Sequence, residues 1–119
     1  MPMTQKLIYK IATRDQWEKA EKSGFFEGAP IDLADGYIHF STAVTVRETA
    51  AKHFAGQDSL LLIAVDEAAL GDKLKYEVSR GNALFPHLYD KLDLNAVIWA
   101  AELPLDDNQL HIFPENFEG

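Results

Sequence analysis

The chain has 119 residues, 47% of them hydrophobic and 25% charged, and this composition predicts a single soluble globular domain over residues 1–119. Its 11 Lys and Arg against 19 Asp and Glu leave a net charge of −8, which disfavours binding to nucleic acid or to an anionic membrane. The chain has no cysteine, so disulfides, thiolate metal sites and cysteine nucleophiles are excluded. No apolar run reaches the ~20 residues that span a bilayer and no signal region is visible, so we expect a cytoplasmic protein without membrane contact.

The first half of the chain predicts three strands, the last of them buried on both faces, and two helices. Residues 6–12 are rich in β-branched and aromatic side chains and predict a strand. Thr13 with Gln16 matches a capping box, so a helix should begin there and end at Gly24. We expect a loop over 25–35, a strand over 37–41, a helix over 45–55 with a second capping box at Thr45 and Glu48, and a strand over 60–65 that is buried on both faces.

The second half predicts mainly strands. We expect a helical turn at 66–70, a strand at 74–78, a loop at 79–90, a long strand at 95–103 and a short edge strand at 109–113. The order β-α-β-α-β-β-β-β predicts an α+β fold with a split, mostly antiparallel sheet and two main helices that form a cleft.

A first candidate site lies on the strand at 37–41. A period of two places Ile38 and Phe40 towards the core and Tyr37, His39 and Ser41 on the other face. His39 can then act as a general base or orient a ligand, with Tyr37, Ser41 and Thr42 as ligand-binding groups. The alternatives are a histidine on a solvated sheet face and hydroxyls that only satisfy nearby backbone.

A second candidate site lies in the run Phe85-Pro86-His87-Leu88-Tyr89, in which two aromatic side chains flank an imidazole. The functional hypothesis is a pocket wall formed by Phe85 and Tyr89 with His87 as its polar tip. The alternative is a loop that tucks Phe85 into the core and leaves His87 in water.

Charged residues near this run complete the candidate set. Glu77 should face away from the core and can pair with an imidazole for acid–base work, while Arg80 is a candidate for binding an anion. A surface Glu77–Arg80 ion pair of little energetic value is the alternative. The four histidines lack metal-ligand spacing, so no metal site is predicted.

Three segments together resemble a small bacterial family known as domain of unknown function 952. They are the Gly-Tyr-Ile-His-Phe-Ser run from Gly36, the apolar strand that ends at Val65-Asp66, and the Phe85–Tyr89 run. The resemblance covers nearly the whole chain. Members of that family are similar to the ADP-ribosyltransferase fold, so the resemblance implies two small sheets around a cleft for nicotinamide adenine dinucleotide (NAD).

A more distant resemblance is to the RNA 2′-phosphotransferases of the same superfamily, whose His-x-His-Leu-Ser run is partly matched by His39-Phe40-Ser41. The resemblances imply a divergent ADP-ribosyl- or phosphotransferase acting on a nucleotide-like ligand. On that hypothesis His39, His87 and Glu77 are the catalytic residues, and Arg80 or Lys10 binds the phosphate. Lys10 stands where the transferases carry a ribose-binding histidine, and no glutamate falls at their catalytic position. The cofactor therefore stays open, with NAD as the candidate, and a non-catalytic small-molecule binding module is the alternative function.

Overall fold

The structure is a computed structural model that describes residues 6–79 and 83–114. Its described part contains eight strands and three α-helices, joined by short 3-10 turns at Glu67–Lys73 and Leu94–Ala96. In chain order these are β1 (Leu7–Thr13), α1 (Arg14–Ser23), β2 (Phe25–Phe26), α2 (Pro30–Asp35), β3 (Ile38–His39), α3 (Val46–His53), β4 (Leu60–Asp66), β5 (Leu74–Val78), β6 (Leu84–Leu88), β7 (Leu92–Asp93) and β8 (Val97–Glu102).

The strands form three small antiparallel sheets. One has the order β1-β4-β8, a second has the order β3-β6-β5, and β2 pairs with β7. The predicted α+β class and antiparallel pairing are therefore confirmed. No helix in the described ranges combines the length and apolar character needed to cross a membrane.

The central strand β4 is buried on both faces, as its apolar sequence predicts. Alternate residues of β1 and β4 enter two different apolar clusters, because neighbouring side chains of a strand point to opposite faces. One cluster receives Trp17 and Ala20 of α1, and the other receives Val46 and Ala50 of α3. Helix α1 begins with the predicted Thr13–Gln16 capping box and ends at Gly24 in the left-handed conformation.

The segment predicted as a loop over 25–35 contains β2 and α2 instead. Pro30 occupies the first turn of α2, and Gly36 ends it with a φ of 87°. Position 29 before the helix is an alanine, so the usual polar N-cap signal is missing. The carboxylate of Asp32, in the first turn, supplies the reciprocal half of a capping box, because its Oδ2 accepts a hydrogen bond of 2.7 Å from the Ala29 amide.

The predicted loop over 79–90 is also wrong, because β6 lies inside it as the middle strand of its sheet. Proline is rare in a middle strand since it lacks the ladder donor. Here the Pro86 carbonyl still accepts from the Phe40 amide at 2.9 Å, and β3 pairs with β6 only at Ile38 and His39. Pro86 therefore lacks its N–H at a position where β3 has already stopped pairing with β6.

Smaller differences concern element ends. Thr45 makes no side-chain cap bond at α3, because its hydroxyl interacts with Thr42 instead, and the helix ends at His53 rather than at residue 55. The strand expected at 95–103 begins at Val97, after a 3-10 turn. In place of the strand expected at 109–113, the structure shows a single bridge between Leu105 and His111.

Candidate functional site

His39 and His87 lie directly opposite each other on β3 and β6. The next pair along the ladder, Phe40 and Pro86, carries the backbone hydrogen bond. The two histidines therefore occupy a non-hydrogen-bonded pair, the position at which antiparallel side chains approach most closely. Their ring centroids are 5.5 Å apart in an edge-on arrangement. The structure thus brings together two imidazoles that are 48 positions apart in the chain.

Two tyrosines form the aromatic part of this cluster. The ring of Tyr37 stacks on His87 with centroids 4.2 Å apart and lies 4.7 Å from the ring of His39. Tyr89 contacts Tyr37 at 5.1 Å. The predicted grouping of Tyr37 with His39 on one face and the proximity of Tyr89 to His87 are both present. We call Tyr37, His39, Glu77, His87 and Tyr89 the histidine cluster.

Glu77 on β5 contacts both His87 and Tyr89 through one carboxylate oxygen. Its Oε1 lies 2.8 Å from His87 Nδ1 and accepts a hydrogen bond of 2.6 Å from the Tyr89 hydroxyl. These bonds, from Tyr89 first and His87 second, lower the pKa of Glu77. The same contact raises the pKa of Tyr89 to about 12. Glu77 is therefore held as a carboxylate that orients His87, with Nδ1 as the donor.

His87 is nearly inaccessible, with 4% of its side chain exposed. When Nδ1 donates to Glu77, the neutral ring presents Nε2 as an acceptor. Among the described residues, no donor reaches Nε2. A buried polar atom without a partner costs free energy and indicates that something else, such as a water or a ligand, satisfies it.

His39 sits between two carboxylates of α2. Its Nδ1 lies 2.6 Å from Asp32 Oδ1, and its Nε2 lies 2.9 Å from Asp35 Oδ2. An imidazole donates from both nitrogens only in its protonated form. Both ring nitrogens of His39 therefore face a carboxylate oxygen, whereas His87 has such a contact at Nδ1.

Behind His39, Asp32 forms a buried ion pair with Lys10. The Lys10 Nζ is 2.8 Å from Oδ2 and 3.1 Å from Oδ1, and both side chains are almost completely buried. Burial alone would raise the pKa of Asp32, but the hydrogen bonds from His39 and the charge of Lys10 outweigh it and lower the pKa to about 2. Burial lowers the pKa of Lys10, against the opposing effect of Asp32.

Sequence reasoning missed both Asp32 and Asp35. The signal was present, because Pro30 and Gly36 bracket a short helix and place the two aspartates three positions apart on one helix face. Because residues 25–35 were predicted to form a loop, the helical spacing of the two aspartates was not recognised. Lys10, predicted as an anion-binding group, has its ammonium engaged by Asp32.

The other predicted ligand-binding residues lie outside the histidine cluster. The Ser41 hydroxyl is 3.0 Å from that of Thr49 on α3, and the Ser41 backbone pairs with Tyr9. Thr42 interacts with Thr45 at the start of α3. Phe85 is buried on β6 opposite Glu77. Arg80 lies outside the described residues.

A small concavity of about 250 Å³ adjoins the histidine cluster, and Tyr37 and Tyr89 contribute to its wall. Its charged lining residues are the acidic Glu27, Asp32 and Asp90. A larger groove of about 480 Å³ lies between α1, β2 and α2, but none of the predicted site residues lines it. Of the histidine cluster, Tyr37 and Tyr89 line the smaller concavity, whereas His39, Glu77 and His87 do not.

Residues 11–100 match the family described as proteins of unknown function, DUF952, and the chain belongs to this family. It is similar to the crystal structure of protein CC0527 from Caulobacter crescentus, with 49% identity over 89% of this chain and 93% of that one and a TM-score of 0.86. The solution NMR structure of CC0527 matches with 50% identity over 87% and 90% of the two chains and a TM-score of 0.79. No curated protein matches. These matches support the family and the fold, but not the expected relation to ADP-ribosyltransferases.

Proposed function

We propose that the histidine cluster is an acid–base site for a nucleoside-type small molecule, with His87 as the base and His39 as the hydrogen-bond donor to the leaving group. The observation that carries this proposal is the buried His87, whose Nδ1 is held by Glu77 and whose Nε2 has no partner among the described residues. A carboxylate-oriented imidazole with a free lone pair is the usual form of a histidine base. His39, which contacts two carboxylates, supplies the protonated partner.

The proposed chemistry moves one proton and one leaving group. A hydroxyl, from water or from an acceptor molecule, transfers its proton to His87 Nε2 while its oxygen forms a bond to the electrophilic atom of the ligand. The bond to the leaving group breaks, and its electron pair departs with that group. Glu77 stabilises the imidazolium that forms on His87. His39 Nε2 donates a hydrogen bond to the leaving group in place of its contact with the exposed Asp35.

The charges around the histidine cluster favour transfer at a sugar carbon over transfer of a phosphoryl group. Asp35 and Glu77 are anionic, and the charge of Lys10 is neutralised by Asp32. Carboxylates stabilise a sugar that becomes positively charged and repel a phosphate group. We therefore propose transfer at the sugar carbon of an NAD-like ligand, in which the carbon–nitrogen bond to nicotinamide breaks, rather than phosphoryl transfer. Tyr37 and Tyr89 provide faces on which a heterocycle can stack.

A non-catalytic binding module is the second candidate. This alternative is favoured by the stacking of Tyr37 on the buried His87. A catalytic base must contact its substrate, and Tyr37 blocks access to this imidazole. In that case the tyrosines bind the ligand, and the two histidines only hold them in place.

The test is a titration of the protein with NAD, ADP-ribose, adenosine and nicotinamide, followed by NMR of both protein and ligand. Shifts of the Tyr37, His39 and His87 signals together with release of nicotinamide from NAD support the transferase. Shifts without any product, unchanged in a His87→Gln variant, support the binding module. No shift at millimolar concentrations of any of these ligands would remove both proposals.

A further inference from the structure

Lys10 is a buried cation whose charge the proposed chemistry does not use. It lies on β1, where 6% of the residue is exposed, and its Nζ contacts both carboxylate oxygens of Asp32. Most lysines keep their ammonium group in water, so a lysine at this depth needs its anionic partner. The position of the charge beside the histidine cluster raises the question of what it does there.

Lys10 and His39 compete for the same oxygen. Asp32 Oδ1 is 3.1 Å from Lys10 Nζ and 2.6 Å from His39 Nδ1. The two nitrogens are thus within ~6 Å of each other, a distance at which like charges disfavour one another's charged forms. The ammonium therefore opposes the protonated state of His39 that Asp32 and Asp35 favour.

The remaining neighbours of His39 do not supply a comparable positive charge. Just before β3 the adjacent titratable ring is Tyr37, whose ordinary pKa of 10.0 is raised further by burial, so it carries no charge at physiological pH. On β6 the neighbour is His87, whose Nδ1 lies 2.8 Å from the Glu77 carboxylate of β5. Of the described groups around His39, Lys10 is the cation that directly shares its carboxylate.

We propose that Lys10 is a positioning residue that weakens the hold of Asp32 on the His39 proton. It fixes the Asp32 carboxylate in place and at the same time repels the imidazolium. Without the ammonium, the two carboxylates would hold the His39 proton more firmly and weaken the hydrogen bond that His39 offers to the leaving group. The use of this tuning in chemistry rests on the proposed function, but the charge effect itself does not.

The experiment measures the titration midpoint of His39 by two-dimensional ¹⁵N–¹H NMR of the imidazole rings, without any ligand. In Lys10→Met and Lys10→Gln the midpoint should move upwards by about one pH unit, the size of a charge effect at this range. Asp32→Asn should move it downwards. Lys6→Met is the matched control, because it removes the same charge from an exposed lysine that pairs with Glu67, and it should leave the midpoint unchanged.

An unchanged or lowered midpoint in either folded Lys10 variant would overturn the proposal, since a lysine that merely fills space would not affect His39. A measurement on the wild-type protein decides the matter if neither variant folds. The ¹⁵N shift of Lys10 Nζ at pH 7 should be that of an ammonium, and the shift of a neutral amine would refute the mechanism. Because no ligand is present, these outcomes are independent of whether NAD binds.

Discussion

The phenol ring of Tyr37 stacks on the imidazole of His87 at a centroid distance of 4.2 Å and an interplanar angle of 27°. This contact covers the histidine that the fold has already oriented through Glu77. Tyr37 also touches His39 and Tyr89, so a single side chain links the members of the histidine cluster. Access to His87 therefore depends on Tyr37.

Replacing Tyr37 by alanine should uncover His87. The ring protons of His87 should move downfield, because the shielding by a stacked aromatic ring is lost, and the free energy of unfolding should fall by about 1 kcal/mol from the lost aromatic contacts. Proton NMR and urea denaturation measure these changes. Tyr37→Phe keeps the ring and should leave both values close to wild type. If His87 signals stay unchanged in Tyr37→Ala, the stacking does not persist in solution.

Glu77→Gln should lower the pKa of Tyr89 from about 12 towards the ordinary value of 10.0, because the hydrogen bond to a carboxylate that opposes ionisation of the phenol is lost. Carbon-13 NMR of the tyrosine rings follows this titration. Asp90→Asn removes a negative charge next to Tyr89 in the sequence and is the control, for which a much smaller change is expected. An equal change in both variants would show that general charge, rather than the specific hydrogen bond, perturbs Tyr89.

Asp32→Asn should destabilise the protein by roughly 3–5 kcal/mol at pH 7, because it leaves Lys10 buried without its anion. The pKa of Asp32 falls from 3.8 to about 2 on folding, so its charge contributes stability above pH 3.8 that is lost as the pH drops towards 2. The difference between wild type and variant should therefore shrink over this window. Urea denaturation at pH 7, 4, 3 and 2 provides the measurement, and a constant difference at all pH values would contradict it.

Lys10→Met combined with Asp32→Asn should be less destabilising than the two single changes added together. Asp32→Asn leaves Lys10 buried without its anion, and Lys10→Met leaves Asp32 with His39 and backbone amides as its partners, whereas the double variant removes both charges. We expect a coupling free energy of about 1–3 kcal/mol from the double-mutant cycle. Additive effects would mean that the ion pair seen between Lys10 and Asp32 makes no net contribution.

The parts of the fold that sequence reasoning predicted are those set by neighbouring residues. The Thr13–Gln16 capping box formed because its two partners are three positions apart and need no other part of the chain. The similar box at Thr45 did not form, because Thr42 offered its hydroxyl and backbone to the same side chain. β6 was missed because proline is unfavourable in a strand that is paired along its whole length on both sides. Its partner β3 pairs with it at only two residues, so Pro86 is tolerated.

The sequence by itself determined that β4 is buried on both faces, because its residues form a continuous apolar run. It also determined that Tyr37 and His39 share a face, because this requires only the alternation of one strand. Only the tertiary structure decided that Lys10, Asp32 and His39 meet at one carboxylate and that His87 lies opposite His39. Those contacts join distant segments, and their geometry depends on the pairing and packing of whole elements, which no local pattern encodes.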